Sequence, residues 1–192
     1  MELHTERLRM RPFKKKDFAA VHSYARDQET TRYMVWGPNT EKETRDFIAR
    51  TIETNKKLPR TQYDFALETR DGGCLIGACG LYLRDPGEAE AGWVLHKDFW
   101  KKGYMSEAAS ALVDFAFTAL KLRRVYSRCN PANYGSWRVM ENCGMQKEAH
   151  FRKIRKLRGD PDGPWQDEYV FAILFDDWLV MKSDTVSQHR LP

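Results

Sequence analysis

Residues 99–120, FWKKGYMSEAASALVDFAFTAL, place Lys101, Lys102 and Gly103 directly ahead of a segment with helical periodicity. Ala108, Ala109, Leu112, Val113, Ala116 and Leu120 recur at helical spacing, with Glu107, Ser110, Asp114 and Lys121 on the opposite stripe. A helix that begins at Gly103 or Tyr104 leaves several N–H groups without partners, and its dipole adds partial positive charge there. Gly103 allows close backbone approach, the two lysines add charge, and Ser106 supplies a hydroxyl, a combination suited to a phosphate or pyrophosphate. A glycine before a helix is also an ordinary turn. The stretch is neither a dinucleotide fingerprint nor a P-loop, because G-x-G-x-x-G and G-K-[ST] are both absent.

A second chemistry-bearing stretch is FRKIRKLR, residues 151–158, in which five basic residues interleave with Phe151, Ile154 and Leu157. It fits a solvated amphipathic hairpin, or a surface for RNA or an acidic substrate. The net charge of +5 favours an anionic partner without choosing one. Cys74, Cys79, Cys129 and Cys143 lie in apolar segments with no C-x-x-C pair and no histidine at metal-ligand spacing, so buried reduced thiols, no metal and a cytoplasmic location are expected. DPDG, residues 160–163, lacks the rest of a calcium motif.

The elements that must position these residues alternate between strand and helix. LRMRPF reads as an edge strand stopped by Pro12, followed by a helix over KKDFAAVHSYAR and a second over 40–57, capped by Thr40 with Glu43 three residues on. QYDFALET and CLIGACGLYL form a hairpin around RDGG, and AEAGWVLHKDFW adds a third antiparallel strand. After the long helix come a strand at RRVYSRCN, a helix at NYGSWRVMENCG closed by Gly144, and two strands, the last a buried EYVFAILF. The fold class is α/β: a mixed, mostly antiparallel sheet flanked by helices. At 192 residues, one domain over 1–181 is expected, with a flexible C-terminal tail over 182–192. The longest apolar run, 170–175, is too short to cross a bilayer.

GWVLHKDFWKKGYMSEAASALVDFAF, followed by NPANYGSWRVMENCGM, resembles the GNAT superfamily of N-acetyltransferases, and within it the branch of ribosomal-protein N-terminal acetyltransferases. TERLRMRPF, VWGPNT and EYVFAILFDDW resemble that branch too, so the likeness spans nearly the whole chain. It implies a sheet splayed between its fourth and fifth strands, with acetyl-CoA in the gap and the pyrophosphate on the amides of Lys101, Lys102, Gly103, Tyr104, Met105 and Ser106. The superfamily signature there is [QR]-x-x-G-x-[GA]; here Trp100 and the bulkier Met105 hold the outer positions.

The second signature, N-x-x-S, is carried by Asn133 and Ser136. The resemblance places Asn133 at the pantetheine and Ser136 near the thioester sulfur, although Asn133 also reads as a helix N-cap. It further implies Glu90 as the base, since AEAGWVL resembles the branch's E-x-G strand; with Glu88 on the same face, a solvated strand carboxylate is the alternative. The thioester carbonyl would meet a strand N–H near Val94 or Leu95. The function implied is transfer of an acetyl group to a primary amine, such as a protein N-terminus, by direct attack in a ternary complex. The alternatives are a polyamine- or aminoglycoside-type acceptor and a non-catalytic module that holds RNA or a ribosomal protein. FDDWLVM, read as an apolar extension of the last strand, leaves monomer and homodimer both open.

Overall fold

A computed structural model of the chain describes residues 1–156 and 162–188. Leu157 and Arg158 of the basic run, and the first part of DPDG, lie outside them. Eight strands form one sheet: β1 (Leu3–His4), β2 (Leu8–Arg11), β3 (Gln62–Thr69), β4 (Leu75–Leu83), β5 (Glu88–Leu95), β6 (Arg124–Cys129), β7 (Gln146–Arg155) and β8 (Gln166–Leu174). Their spatial order is β1-β2-β3-β4-β5-β6-β8-β7. All neighbours are antiparallel except β5 and β6. The α/β class and the mixed sheet are as expected, but β2 is not the edge, because β1 folds back onto it.

Helices cover both faces. On one side α1 (Phe18–Ala25), the short α2 (Gln28–Thr31) and α3 (Glu41–Thr54) precede the long hairpin. Thr40 caps α3 in the reciprocal box its sequence predicts: Thr40 Oγ1 accepts from the Glu43 N–H, and Glu43 accepts from the Thr40 N–H. Val21, Tyr24, Ala25 and Ile48 close on Ala66, Ala78 and Val94 of β3, β4 and β5. On the other side α4 (Tyr104–Thr118) lays Ala108, Ala109, Leu112, Val113 and Ala116 on Phe65, Leu67, Leu81, Ala89 and Ala91. Alternation along the strands, reset in β4 where Ile76 is bulged out of the β3 pairing, divides their residues between the two clusters, so the hairpin register sorts the core.

α5 (Tyr134–Asn142) ends at Cys143, and Gly144 follows at φ +86°; a Cβ there would stand 2.8 Å from Met181 Sδ. That methionine belongs to α6 (Phe175–Gln188), which corrects the reading of FDDWLVM. FDDWLVM is helix, not strand, and residues 182–188 continue it. The Asp177 carboxylate accepts from the Leu174 N–H and starts the helix, while Trp178 Nε1 and Lys182 Nζ both reach Asp114 of α4, at 2.7 and 2.8 Å. Cys79, Cys129 and Cys143 are buried as expected, whereas Cys74 is exposed because it sits at the exit of the β3–β4 turn. Burial pushes the Cys129 and Cys143 thiols up to about 12, which removes their nucleophilicity near neutrality.

Candidate active site

β5 and β6 pair only through Glu88, Ala89 and Glu90, opposite Arg124, Val125 and Tyr126. Beyond Glu90 the strands part. Because a two-residue strand precedes β2, this pair corresponds to the fourth and fifth strands of the expected splay. β5 stays paired with β4 through Leu95, and its hydrogen bonds alternate. The His96 N–H donates to Ile76 O and the Arg84 N–H to Glu88 O, so even-numbered β5 residues turn their main chain toward β4. Trp93 and Leu95 therefore turn theirs toward the gap. Of the two expected donors, Leu95 faces it; the Val94 N–H does not, because the same alternation commits it to β4, and its side chain is buried under α1 and α3. Trp93, not singled out from sequence, takes the second position.

Each parting strand leads into a helix. β5 passes through the 3-10 turn Lys97–Phe99, capped by His96, into α4. Trp100 donates its indole N–H to Leu95 O at 2.7 Å, which occupies the gap-side carbonyl and leaves the gap-side N–H. Lys101 and Gly103 are both left-handed, at φ +60° and +79°, and Gly103 caps α4 with no side chain over its first N–H groups. Such a turn at a helix start forms a concave set of donors. Lys101, Lys102, Gly103, Tyr104 and Ser106 surround it. Met105, the bulky departure, points inward: it is 5% exposed and packs in the core of α4. It leaves the space before the turn open.

A support that sequence reasoning missed holds this turn. Arg7 Nη1 donates to Lys102 O at 2.9 Å, Arg7 Nε donates to Glu107 Oε2 at 2.6 Å, and the Thr5 hydroxyl and Arg7 N–H donate to Glu107 Oε1. Glu107, one turn into α4, thereby ties the N-terminal strand to the loop. Desolvation pushes its carboxyl up, but the bonds from Thr5 and Arg7 outweigh that and hold it below the ordinary value. The spacing of TER ahead of β2 was the available signal, though nothing local pairs it with residue 107.

β6 leads through 130–132 into α5. Asn133 caps that helix, its Oδ1 accepting from the Ser136 N–H at 3.3 Å. The cap therefore exists, and the Asn133 amide N–H groups remain available. The Ser136 hydroxyl is half-buried in the first turn and makes no hydrogen bond among the described residues. Asn130, also missed, shapes the approach: it is 5% exposed, donates to Gln166 Oε1 and accepts from the Ala132 N–H. Asn142 Nδ2 donates to Ser106 Oγ at 3.0 Å, tying the end of α5 to the head of α4. Met140 is buried and Trp137 packs against the same cluster.

On the opposite face Glu90 lies beside the last paired step. Its Oε2 accepts two bonds from Arg84, at 2.8 and 3.0 Å, and its Oε1 stands 3.5 Å from Arg128 Nε. Glu88 instead pairs with Arg123 and Arg124. Trp36 packs beneath α1 and α3, whereas Trp165 is exposed. Among the described residues no helix is long and apolar enough to cross a membrane.

A mixed sheet that opens between two parallel strands, each feeding a helix whose N-terminus borders the gap, defines an acyl-CoA-dependent transferase scaffold. Comparison with known proteins agrees: residues 7–146 match the acetyltransferase (GNAT) domain. The chain is 36% identical to the uncharacterized N-acetyltransferase YnaD of Bacillus subtilis, over 93% of this chain and 99% of that protein. It shares 34% identity and a TM-score of 0.80 with a GNAT-family acetyltransferase from Bacillus anthracis, covering 92% of this chain and 99% of that one. At 22% identity, where likeness speaks for the fold alone, a ribosomal-protein-S5-alanine acetyltransferase from Vibrio fischeri aligns over 93% of this chain and 98% of its own, with a TM-score of 0.73. The chain belongs to the GNAT family and is an acetyl-CoA-dependent N-acetyltransferase.

Proposed function

We propose that the protein acetylates a primary amine, in the first instance an α-amine such as a protein N-terminus, by direct attack within a ternary complex. The observation that carries this reading is the release of β5 from β6 after Glu90, which frees gap-side N–H groups between two helix N-termini. The turn supports this reading: Gly103 is left-handed, and a Cβ there would come 3.2 Å from Arg7 Nη2, so a side chain would disturb the support of the turn. The amides at 101–106, with Lys101 and Lys102, would hold the pyrophosphate, and Asn133 the pantetheine arm. Acetyl-CoA, when bound, supplies an activated thioester.

The chain's own residues then meet three demands. The Leu95 and Trp93 N–H groups, fixed by the β4 pairing, donate to negative charge that develops on the carbonyl oxygen. The Ser136 hydroxyl, with no competing partner among the described residues, donates to the departing sulfur. Glu90 Oε1 keeps lone pairs that can draw a proton from the amine through water, while Arg84 fixes the carboxylate through Oε2. An α-amine, with a reference pKa of about 7.7 to 8.0, is partly neutral at pH 7, whereas freeing a lysine amine at about 10.4 costs roughly 4 to 5 kcal/mol at that pH. A weak base therefore suffices for an α-amine. A cytoplasmic location accords with the three buried free thiols.

Titration calorimetry with acetyl-CoA, with desulfo-CoA and ATP for comparison, tests the cradle; saturable binding that prefers the coenzymes is expected, and no binding overturns it. Ser136→Ala should lower kcat about 10- to 100-fold with little change in acetyl-CoA affinity, the scale of one donor to a charged group. A full-rate variant removes Ser136 from the mechanism.

A further inference from the structure

The face of the sheet away from α4 carries a row of alternating charges that crosses the gap. Arg84 Nη2 lies 2.8 Å from Glu90 Oε2, and Arg128 Nε 3.5 Å from Glu90 Oε1. Arg128 Nη1 lies 3.7 Å from Glu168 Oε1, and Arg155 Nη1 3.1 Å from Glu168 Oε2. Three guanidiniums thus share two carboxylates, one from each side of the splay, and the row has a cation in excess. Helices α1 and α3 close over β3, β4 and β5 only; their core cluster includes no residue of β6, β7 or β8. The row therefore continues from the covered half of this face onto the uncovered half.

Its hydrogen-bonding is unbalanced as well. Both carboxylates stand beyond hydrogen-bond distance from Arg128, so charge holds this side chain in place while most of its five N–H donors stay unspent. Its guanidinium carbon also lies 5.6 Å from the centroid of the Tyr126 ring, a contact that uses the face of the fork and none of its N–H groups. Arg128 is 43% exposed, whereas Glu168 beneath it is 5% exposed, so the cation faces out and the anion is turned inward. Arg155 Nε is buried with no partner among the described residues. A buried donor without an acceptor is costly, and a guanidinium fork matches a carboxylate in both charge and shape. A polycationic acceptor meets the reverse: the carboxylates are already neutralised, and the excess charge repels it.

Resting on the amine-acetyltransferase reading, we propose that the acceptor carries a carboxylate close to its amine, and that Arg128 and Arg155 recognise it by N–H donation. Either a free amino acid or a peptide with an acidic residue next to its N-terminus offers that chemistry, and both fit an α-amine.

The test uses the full chain and matched acceptors that differ only in a carboxylate against a carboxamide. Alanyl-glutamate amide is set against alanyl-glutamine amide for the peptide source, and glutamate against its α-amide for the amino acid, with spermidine as the polycation. Steady-state kinetics are run at saturating acetyl-CoA, and calorimetric binding of each acceptor is measured on the desulfo-CoA complex. In at least one pair the carboxylate member should be favoured about 10- to 100-fold in kcat/KM, mostly through KM, the range of one charge-assisted contact. Arg128→Gln should shrink that ratio to less than about threefold. Arg155→Lys keeps a charge beside Glu168 and should also narrow the ratio, because it removes the fork. Equal handling of both members, preference for spermidine, a ratio untouched by either variant, or no acceptor bound by the desulfo-CoA complex each overturns carboxylate recognition. Absence of acetyl-CoA binding is a separate outcome and overturns the catalytic reading beneath it.

Discussion

The two faces of this sheet spend their residues differently. Toward α4 the strands present Leu8, Met10, Phe65, Leu67, Ile76 and Leu81, all fully buried in one continuous apolar cluster. Toward α1 and α3 the apolar patch is smaller, and the same strands carry Asp64, Tyr82 and Glu90, with Arg128 and Glu168 beyond the splay. One face is built for burial. The other gives up burial for charge, and the gap between β5 and β6 joins them. Stability should therefore be concentrated on the first face, and discrimination between acceptors on the second.

The largest effect expected from this division is on stability. Leu112 of α4 is fully buried, and Leu112→Ala should cost about 2 to 5 kcal/mol in denaturant unfolding, through lost transfer energy plus a cavity. Arg84→Ala, on the other face, removes a half-exposed ion pair and should cost no more than about 1 kcal/mol. Equal losses would dissolve the comparison. Next in size is the joint between the faces. Gly103→Val places a β-branched residue at φ +79° beside Arg7, at a strain of about 1 to 3 kcal/mol. Acetyl-CoA affinity should fall roughly tenfold or more, with the far-UV spectrum unchanged; unaltered affinity in calorimetry would remove Gly103 from the cradle.

Sequence legibility follows the same division. Elements with their own periodicity or capping were readable: α4 from its apolar stripe, α3 from Thr40 and Glu43, and the β3–β4 hairpin from its turn. Gly103 as the turn into α4 and Asn133 as the cap of α5 were legible because each works within a local segment. What escaped depends on partners far away in the chain. The choice of Trp93 and Leu95 over Val94 needs the β4 register, which no single strand encodes. Arg7 and Glu107 are 100 residues apart, and each reads alone as a surface charge. FDDWLVM looked like strand because its apolar residues follow β8 directly; the Asp177 bond to the Leu174 N–H turns it into a helix. The charged row draws on Arg84, just past β4, and on β5, β6, β7 and β8 at once, and its excess guanidinium appears only when those strands are side by side.

The smallest effect is also the one that separates the faces by sign. Glu107, at the head of α4, is held below its ordinary carboxyl value of 4.5 by bonds from Thr5 and Arg7, which overcome its desolvation. A depressed folded value means stability that is present above the unfolded pKa and is lost as pH falls through the folded one. Glu107→Gln should thus cost about 1 kcal/mol at neutral pH and less as the pH drops below 4.5. Asp64, on the opposite face, is 3% exposed, and burial pushes its carboxyl above the ordinary 3.8 despite bonds from Gln62 and Tyr82. A raised carboxyl value works the other way: the ionised group opposes folding above it, and that cost disappears as pH falls. Asp64→Asn should gain on the parent protein as pH rises from below 3.8 toward neutrality, while Glu107→Gln loses ground over the same range. Urea midpoints of both variants and the parent, taken from acid to neutral pH, read these slopes directly. Parallel slopes would mean that the two carboxylates share one kind of environment, and the contrast between a face that stabilises its charge and one that tolerates it would fail.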